Sequence, residues 1–297
     1  MTRRSTTLLR ELLAEPGVTI APGVADALNA RLVAAEGFKA IYMTGGGTSA
    51  VRLGMPDVGL LTMPEMVDNA ARIVDASGLP LVSDADTGYG NPLNVQRTVR
   101  AFEKAGVAAI HIEDQDFPKR CGHLGGKSLI PAAEMVNKIR AACDARHDGD
   151  FMIIARTDAL AVEGLDRALE RGRAYEAAGA DMIFVESPLT MEHLVAIPKA
   201  FRVPTLFNMA SSGKTPFLHR DELARLGFKL AIYPNFAILA AIPAVRNYLR
   251  VLREQGTVGE LAKGLATFKE WFDVVGMAEV SALEERYGTP DDKRTRY

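Results

Sequence analysis

The feature that most constrains this chain is a short apolar run, rich in Val, Ile and Phe, that recurs ahead of longer stretches with helical periodicity. Such runs occupy residues 18–21, 40–43, 79–83, 108–112, 151–155, 182–185, 205–207 and 229–233. Helical patterns lie between them at 64–76, 92–105, 132–142, 164–178 and 220–226, with a first helix over 7–15. Three of these helices stop at a glycine step, Ala105-Gly106, Ala178-Gly179 and Leu226-Gly227, the usual carboxyl-terminal punctuation. Runs that are apolar throughout are buried on both faces, as in a parallel sheet covered by helices. Eight β-then-α units predict an α/β protein of the closed (β/α)₈ TIM-barrel type rather than an open doubly wound sheet. The open sheet's glycine-rich G-x-G-x-x-G turn is missing, since the segment after the first run reads Pro22-Gly23-Val24-Ala25-Asp26.

The length of 297 residues suits one barrel domain spanning 1–297, of which 236–287 forms a helical carboxyl-terminal extension. Residues 236–255 and 258–287 read as two helices, with a kink expected at Pro243. The second presents Phe268, Trp271, Phe272, Val275 and Met277 at near-helical spacing, an apolar face that must pack somewhere. The tail from Gly288 to Tyr297 is polar. A balance of 35 basic and 37 acidic residues offers no global attraction for nucleic acid or an anionic membrane. No apolar stretch reaches the ~20 residues of a membrane helix. Cys121 and Cys143 are too few for a disulfide framework. The expectation is a cytoplasmic protein; the basic start, Met1-Thr-Arg-Arg, reads as the lead into the first helix rather than as a transit peptide.

Polar residues cluster just past the predicted strands, where a barrel builds its active site. They are Thr44-Gly45-Gly46-Gly47 and Met55-Pro56-Asp57; Ser83-Asp84-Ala85-Asp86-Thr87-Gly88-Tyr89-Gly90; His111-Ile112-Glu113-Asp114-Gln115; Arg156-Thr157-Asp158; Glu186-Ser187-Pro188; and Asn208-Met209. A lone Asp after a strand is ordinarily a helix cap. Six consecutive strand ends with acidic, amide or guanidinium groups are harder to explain that way. Asp84 and Asp86, two apart, point the same way if the strand is regular. With Asp57 and Glu113 they form an all-oxygen carboxylate cluster that suits Mg²⁺, or Mn²⁺ in its place, unless Lys or Arg neutralises it. The loop Lys119-Arg120-Cys121-Gly122-His123-Leu124-Gly125-Gly126-Lys127 surrounds one thiol with basic groups and glycines. Such neighbours lower a thiol's pKa and let a loop fold over a ligand. Cys143, in a helical pattern, reads as a structural residue.

In these blocks the chain resembles the isocitrate lyase / phosphoenolpyruvate mutase superfamily, with Lys119-Arg-Cys-Gly-His123 similar to the signature of its lyase branch. The resemblance runs from about residue 8 to 285. It implies a (β/α)₈ barrel whose last helices exchange between subunits of a homotetramer, a dimer of dimers. It implies that Asp86 ligates Mg²⁺ while Asp57, Asp84 and Glu113 hold its waters. Tyr42, Thr44, Gly45, Gly46, Gly122, Arg156, Glu186 and Asn208 are implied to bind a small di- or tricarboxylate, with Lys119, Arg120, Cys121 and His123 catalytic. The implied reaction breaks a carbon–carbon bond in a 2-hydroxy acid, with Cys121 as general acid and either Tyr42 or a carboxylate near the metal as base. Methylisocitrate lyases carry extra arginines near the last strand. The stretch 233–239 here has no basic residue, 208–216 also departs from their pattern, and an apolar wall favours a 2-alkylmalate. Hydrolysis or decarboxylation of oxaloacetate, turnover of a phosphonopyruvate, and a non-enzymatic barrel are the alternatives.

Overall fold

Alternation along eight short strands decides the architecture. The strands are β1 (Thr19–Val24), β2 (Ile41–Met43), β3 (Leu81–Asp84), β4 (Ala109–Glu113), β5 (Met152–Thr157), β6 (Met182–Val185), β7 (Thr205–Asn208) and β8 (Leu230–Tyr233). All pair in parallel in chain order, and β8 returns to β1, so the sheet closes as the expected barrel. The structure, a computed structural model, describes residues 3–120, 122, 125–211 and 215–288. Cys121 and His123, and the tail beyond Gly288, lie outside the described residues.

Around the barrel run α1 (Ser5–Ala14), α2 (Ala27–Ala35), α3 (Gly45–Leu53), α4 (Met63–Ser77), α5 (Pro92–Lys104), α6 (Ala132–Ala145), α7 (Ala159–Val162), α8 (Leu165–Ala177), α9 (Met191–Lys199) and α10 (Arg220–Leu226). Residues on one face of the strands, including Ala21, Val82, Ala109, Ile154, Phe184, Leu206 and Ile232, pack together with Leu9 and Leu13 of α1. This is the barrel interior, and α1 plugs its amino end. The opposite strand face, with Ile41, Ile110, Ile153, Ile183 and Phe207, packs against the helices in a larger core. Side chains alternate along a strand, so two residues beyond an interior apolar residue the chain again points inward. Val82 leads to Asp84, Ala109 to His111 and Glu113, Ile154 to Arg156, Phe184 to Glu186, and Leu206 to Asn208. The site is the polar continuation of the apolar interior.

Two expectations need correction. Pro22-Gly23-Val24 is strand rather than turn, with Pro22 in register with Tyr233 of β8 and Gly23 with Tyr42 of β2. The three glycines after β2 open a helix, α3, although glycine weakens helices. Thr44 caps it, accepting from Gly47 N at 3.2 Å. A Cβ at Gly45 would collide with the Asp84 carboxylate, so glycine is what lets this helix end press against β3.

The second concerns the carboxyl-terminal stretch. α11 (Phe236–Gln255) runs through Pro243. Residues 258–287 break into a 3-10 turn (Ala262–Gly264), α12 (Phe268–Val274) and α13 (Met277–Arg286). Thr267 and Glu270 form a capping box that starts α12, and Gly276, left-handed at φ 85°, separates the last two helices. The chain divides into two compact units, Met1–Leu239 and Ala240–Tyr297. Within the second, Trp271 and Phe272 stack and Phe268 lies tilted against both, yet Phe268 is 73% exposed. No described helix is long and apolar enough to cross a membrane.

Candidate active site at the carboxyl end of the barrel

The floor of the site is a buried chain of three polar groups. Tyr42 OH and His111 Nε2 are 2.9 Å apart, and His111 Nδ1 lies 3.7 Å from Asp84 Oδ1. Burial drives the His111 pKa down to about 4, so the ring is neutral near pH 7. Asp84 Oδ1 accepts from Asp86 N at 2.9 Å, and Oδ2 accepts from Gly45 N at 3.2 Å. Burial acts to raise the Asp84 pKa, but His111, Lys119, Arg156 and the Asp86 amide together hold it below the usual carboxylate range.

Asp86 does not continue the strand. β3 ends at Asp84, and Asp86 takes a left-handed backbone, φ 47°. Regular alternation therefore does not place the two carboxylates. Tyr89 and Ser187, also at this end of the barrel, share that conformation at φ 61° and 57°. Non-glycine residues held this way concentrate at functional sites. Burial, reinforced by Asp84 and Asp57 and opposed by Lys119, pushes the Asp86 carboxyl up to about 6.

The cluster of Asp57, Asp84, Asp86 and Glu113 is not an empty cage. The Lys119 ammonium reaches into it, paired with Asp57 Oδ1 and 2.6 Å from Asp86 Oδ1. Burial would strip its proton, but Asp86, Glu113, Asp84 and Asp57 keep its pKa above the ordinary lysine range. Lys119 is thus a counter-ion of the carboxylates. Among the described residues, no three carboxylates, imidazoles or thiols converge as they stand into a metal site. Arg120 turns elsewhere: its peptide exchanges hydrogen bonds with the Gln115 amide at 2.8 and 2.9 Å, and its guanidinium lies 3.4 Å from Gly125 O.

Arg156 forms the opposite wall. It stands in register with Glu113 on β4. Its guanidinium donates to Asp158 at 2.9 and 3.2 Å, and lies 3.3 Å from Glu113 Oε2 and 3.4 Å from Glu186 Oε2. The Phe184 ring lies under it, 5.2 Å from the guanidinium carbon. Asn208 Nδ2 donates to both Glu186 oxygens at 3.2 Å. Gly122 packs on this wall, where a Cβ would stand 2.5 Å from Arg156 Nη2 and 2.7 Å from Glu186 Cγ. Any side chain at 122 would displace the guanidinium.

Among the described residues, Glu113 Oε1 and Asn208 Oδ1 are buried without a hydrogen-bond partner. Among the described residues, six carboxylates, Asp57, Asp84, Asp86, Glu113, Asp158 and Glu186, face three cations, Lys119, Lys127 and Arg156. Such an acid-rich, under-bonded, all-oxygen set fits a hard divalent cation, provided Lys119 withdraws from Asp86.

Gly46 lies beside the Asp57 carboxylate, which would stand 3.3 Å from a Cβ there. Thr44 Oγ1 donates to Asn235 Oδ1 at 3.0 Å. Asn235 was not among the expected site residues, although it follows β8 as the other polar groups follow their strands. Nor were Lys127, Asp158 and His111 assigned roles. Of the stretch 233–239, Asn235 Oδ1 and Ile238 Cδ1 flank Gly47 at this end of the barrel. Ile232 points into the barrel, so Tyr233 points out, and Tyr233 and Phe236 line a groove on the outer face.

The profile of the family described as phosphoenolpyruvate phosphomutase matches residues 9–253. The chain is 48% identical over 281 residues to a 2,3-dimethylmalate lyase of Eubacterium barkeri, with 95% of this chain and 97% of that protein aligned. It is 41% identical over 296 residues to a 2-methylisocitrate lyase of Aeropyrum pernix, covering 97% and 95% of the two. Among solved structures, oxaloacetate acetylhydrolase in complex with 3,3-difluorooxalacetate superposes with a TM-score of 0.92 at 38% identity. The superposition covers 97% of this chain and 98% of that one.

Proposed function

The chain belongs to the phosphoenolpyruvate mutase / isocitrate lyase superfamily and is a carbon–carbon lyase of it, and from that premise we propose that it cleaves a 2-alkylmalate into a 2-oxo acid and a short carboxylate. The observation that carries the reading is the Arg156 guanidinium, set between Glu113, Asp158 and Glu186 at the rim of the carboxylate cluster. Arg156 anchors the carboxylate of the half that becomes the 2-oxo acid. The hydroxyl proton leaves, the bond between carbons 2 and 3 breaks, and the electron pair passes to the departing carboxylate fragment. Cys121 returns a proton to that carbon. The proton acceptor is a rim carboxylate such as Asp86 or, by passing its own phenolic proton on to the neutral His111 ring, Tyr42. Members of the superfamily typically use a divalent metal. Held by Asp86 with Asp57, Asp84 and Glu113 around it, Mg²⁺ would supply Lewis acidity to the 2-oxo oxygen.

Greater identity to the dimethylmalate lyase than to the methylisocitrate lyase supports the alkylmalate, as does the absence of a basic residue in 233–239. The test is a panel of 2,3-dimethylmalate, 2-methylisocitrate and oxaloacetate with Mg²⁺, followed by 2-oxo acid release and oxalate formation. Dimethylmalate should be the best substrate, and Cys121→Ser should lower its kcat by about 10²–10³. Faster hydrolysis of oxaloacetate, the alternative favoured by the structural neighbour, would replace the lyase reading.

The oligomer is proposed on separate grounds. A groove of about 510 Å³ runs along the β8–β1 seam, lined by Ile20, Pro22, Val24, Leu32, Phe38 and Phe236. α11, α12 and α13 bury no residue, and Leu249, Trp271 and Leu283 are half exposed. The carboxyl-terminal helices of a second copy fit such a groove, as expected for exchange within a dimer of dimers. Native mass spectrometry should show a tetramer, with Leu32→Glu giving smaller species; a monomeric wild type would refute the exchange.

A further inference from the structure

Asp158 is where the substrate anchor and the glycine-rich loop meet. Its carboxylate is fully buried. Oδ2 accepts from Arg156 Nε at 2.9 Å, and Oδ1 accepts from Arg156 Nη2 at 3.2 Å and from Lys127 Nζ at 2.8 Å. The backbone behind it is pinned, because Asp158 N donates to Asp114 Oδ1 at 2.9 Å. Asp114 also accepts from Thr157 Oγ1 at 2.7 Å and Tyr175 OH at 2.8 Å. The carboxylate is thus presented from a frame of β4, β5 and α8.

Lys127 ties the loop to that frame. Its ammonium, with a side chain only 2% exposed, donates to Gly122 O at 2.5 Å as well as to Asp158. Ser187 Oγ lies 3.3 Å from the same carbonyl. A buried ammonium is stable only with its hydrogen bonds made, so Lys127 holds the Gly122 peptide as firmly as it is itself held. The seated peptide in turn lies against Arg156 Nη2, with no room for a Cβ. One carboxylate therefore orients the guanidinium and, through Lys127, the peptide that covers it.

We propose that Lys127 and Asp158 are positioning residues that couple the seating of the loop at Gly122 to the orientation of Arg156. Only the kinetic readout rests on the lyase reading above. Lys127→Met keeps the length of the side chain and removes its charge, while Asp158→Asn keeps the shape and weakens both contacts. Without any substrate, hydrogen exchange in peptides covering Gly122 and Lys127 should quicken by about tenfold in Lys127→Met. With dimethylmalate, kcat of Lys127→Met should fall by about 30–100-fold while KM stays within about threefold. Asp158→Asn should lower kcat comparably and raise KM by about tenfold, because Arg156 loses its two-point hold.

Native exchange together with native kcat in Lys127→Met would overturn the coupling. So would a loss of kcat matched by the loss of folded protein in thermal melting. Should the wild type fail on dimethylmalate, the lyase reading falls, and the exchange experiment still decides the coupling.

Discussion

Arg156→Met is expected to abolish turnover, lowering kcat/KM for the alkylmalate by about 10³–10⁴, or ~4–5.5 kcal/mol of transition-state stabilisation. The loss has two sources. Substrate carboxylate loses its planar, two-point partner, and Asp158, Glu113 and Glu186 lose their shared cation. Burial lowers the Arg156 pKa while those carboxylates raise it, and the net shift is well upward, so the charge is present throughout the working range. Removing one partner from a buried ion cluster costs about 3–5 kcal/mol. That cost depends on pH with a definite sign. Burial already raises the Glu113 pKa above its unfolded value, opposed by Arg156 and Lys119, and losing Arg156 raises it further. A carboxyl with a raised folded pKa takes up its proton in the folded state first, so the penalty is relieved as pH falls through that pKa. The Tm gap between wild type and variant should therefore be wider at pH 8 than at pH 6. Arg156→Lys should recover much of the Tm and little of the activity, because an ammonium cannot bridge side-on. A variant retaining a tenth of wild-type turnover would remove Arg156 from the substrate site.

The residues that were legible in sequence share a physical reason. Strands buried on both faces are apolar throughout, so β2 to β7 announce themselves, and the polar group after each falls at the barrel's carboxyl end. Alternation then aims Arg156 and Glu186 inward two residues beyond Ile154 and Phe184. The same rule, applied to Ile232, would have turned Tyr233 outward and kept it from being read as a pocket wall. Other features depend on contacts between distant segments. Nothing local says that the Lys119 ammonium ends on Asp57, 62 residues away. α3 begins in glycines because Asp84 crowds Gly45 while Thr44 and Ile238 crowd Gly47, and the contacts with Asp84 and Ile238 are visible only in three dimensions. Asp86 broke the alternation rule because β3 had already ended. Asp158 and Lys127 read as an ordinary cap and one more loop cation, and they acquire a role only through their shared hydrogen bonds with Arg156 and Gly122.

Asp86→Asn is the companion experiment, and the backbone makes it a clean one. Asn is among the few residues that tolerate φ 47°, so the turn should survive where Ala would add strain. Stability should survive as well. The Asp86 carboxyl, pushed up to about 6, already holds its charge against burial and two neighbouring carboxylates, so a neutral amide of the same shape relieves a strain. Lys119 keeps Asp57 as partner. The Tm should therefore stay within a few degrees of wild type. What should go is the cation: a hard divalent ion depends on charged oxygen, and an amide oxygen replaces it poorly. Calorimetry with Mg²⁺ or Mn²⁺ should show at least a 100-fold weaker Kd, in the range that perturbed ligand sets show. Turnover should fall by about 10³–10⁴, the several kcal/mol that Lewis acidity supplies to such a step. Asp84→Asn is the informative contrast, because Asp84 accepts from the Gly45 and Asp86 amides and lies beside His111. Losing that charge should loosen the floor and lower Tm as well as activity. Wild-type metal affinity in Asp86→Asn, with activity lost all the same, would assign Asp86 to proton transfer and leave Lys119 as the cation its carboxylate was built to hold.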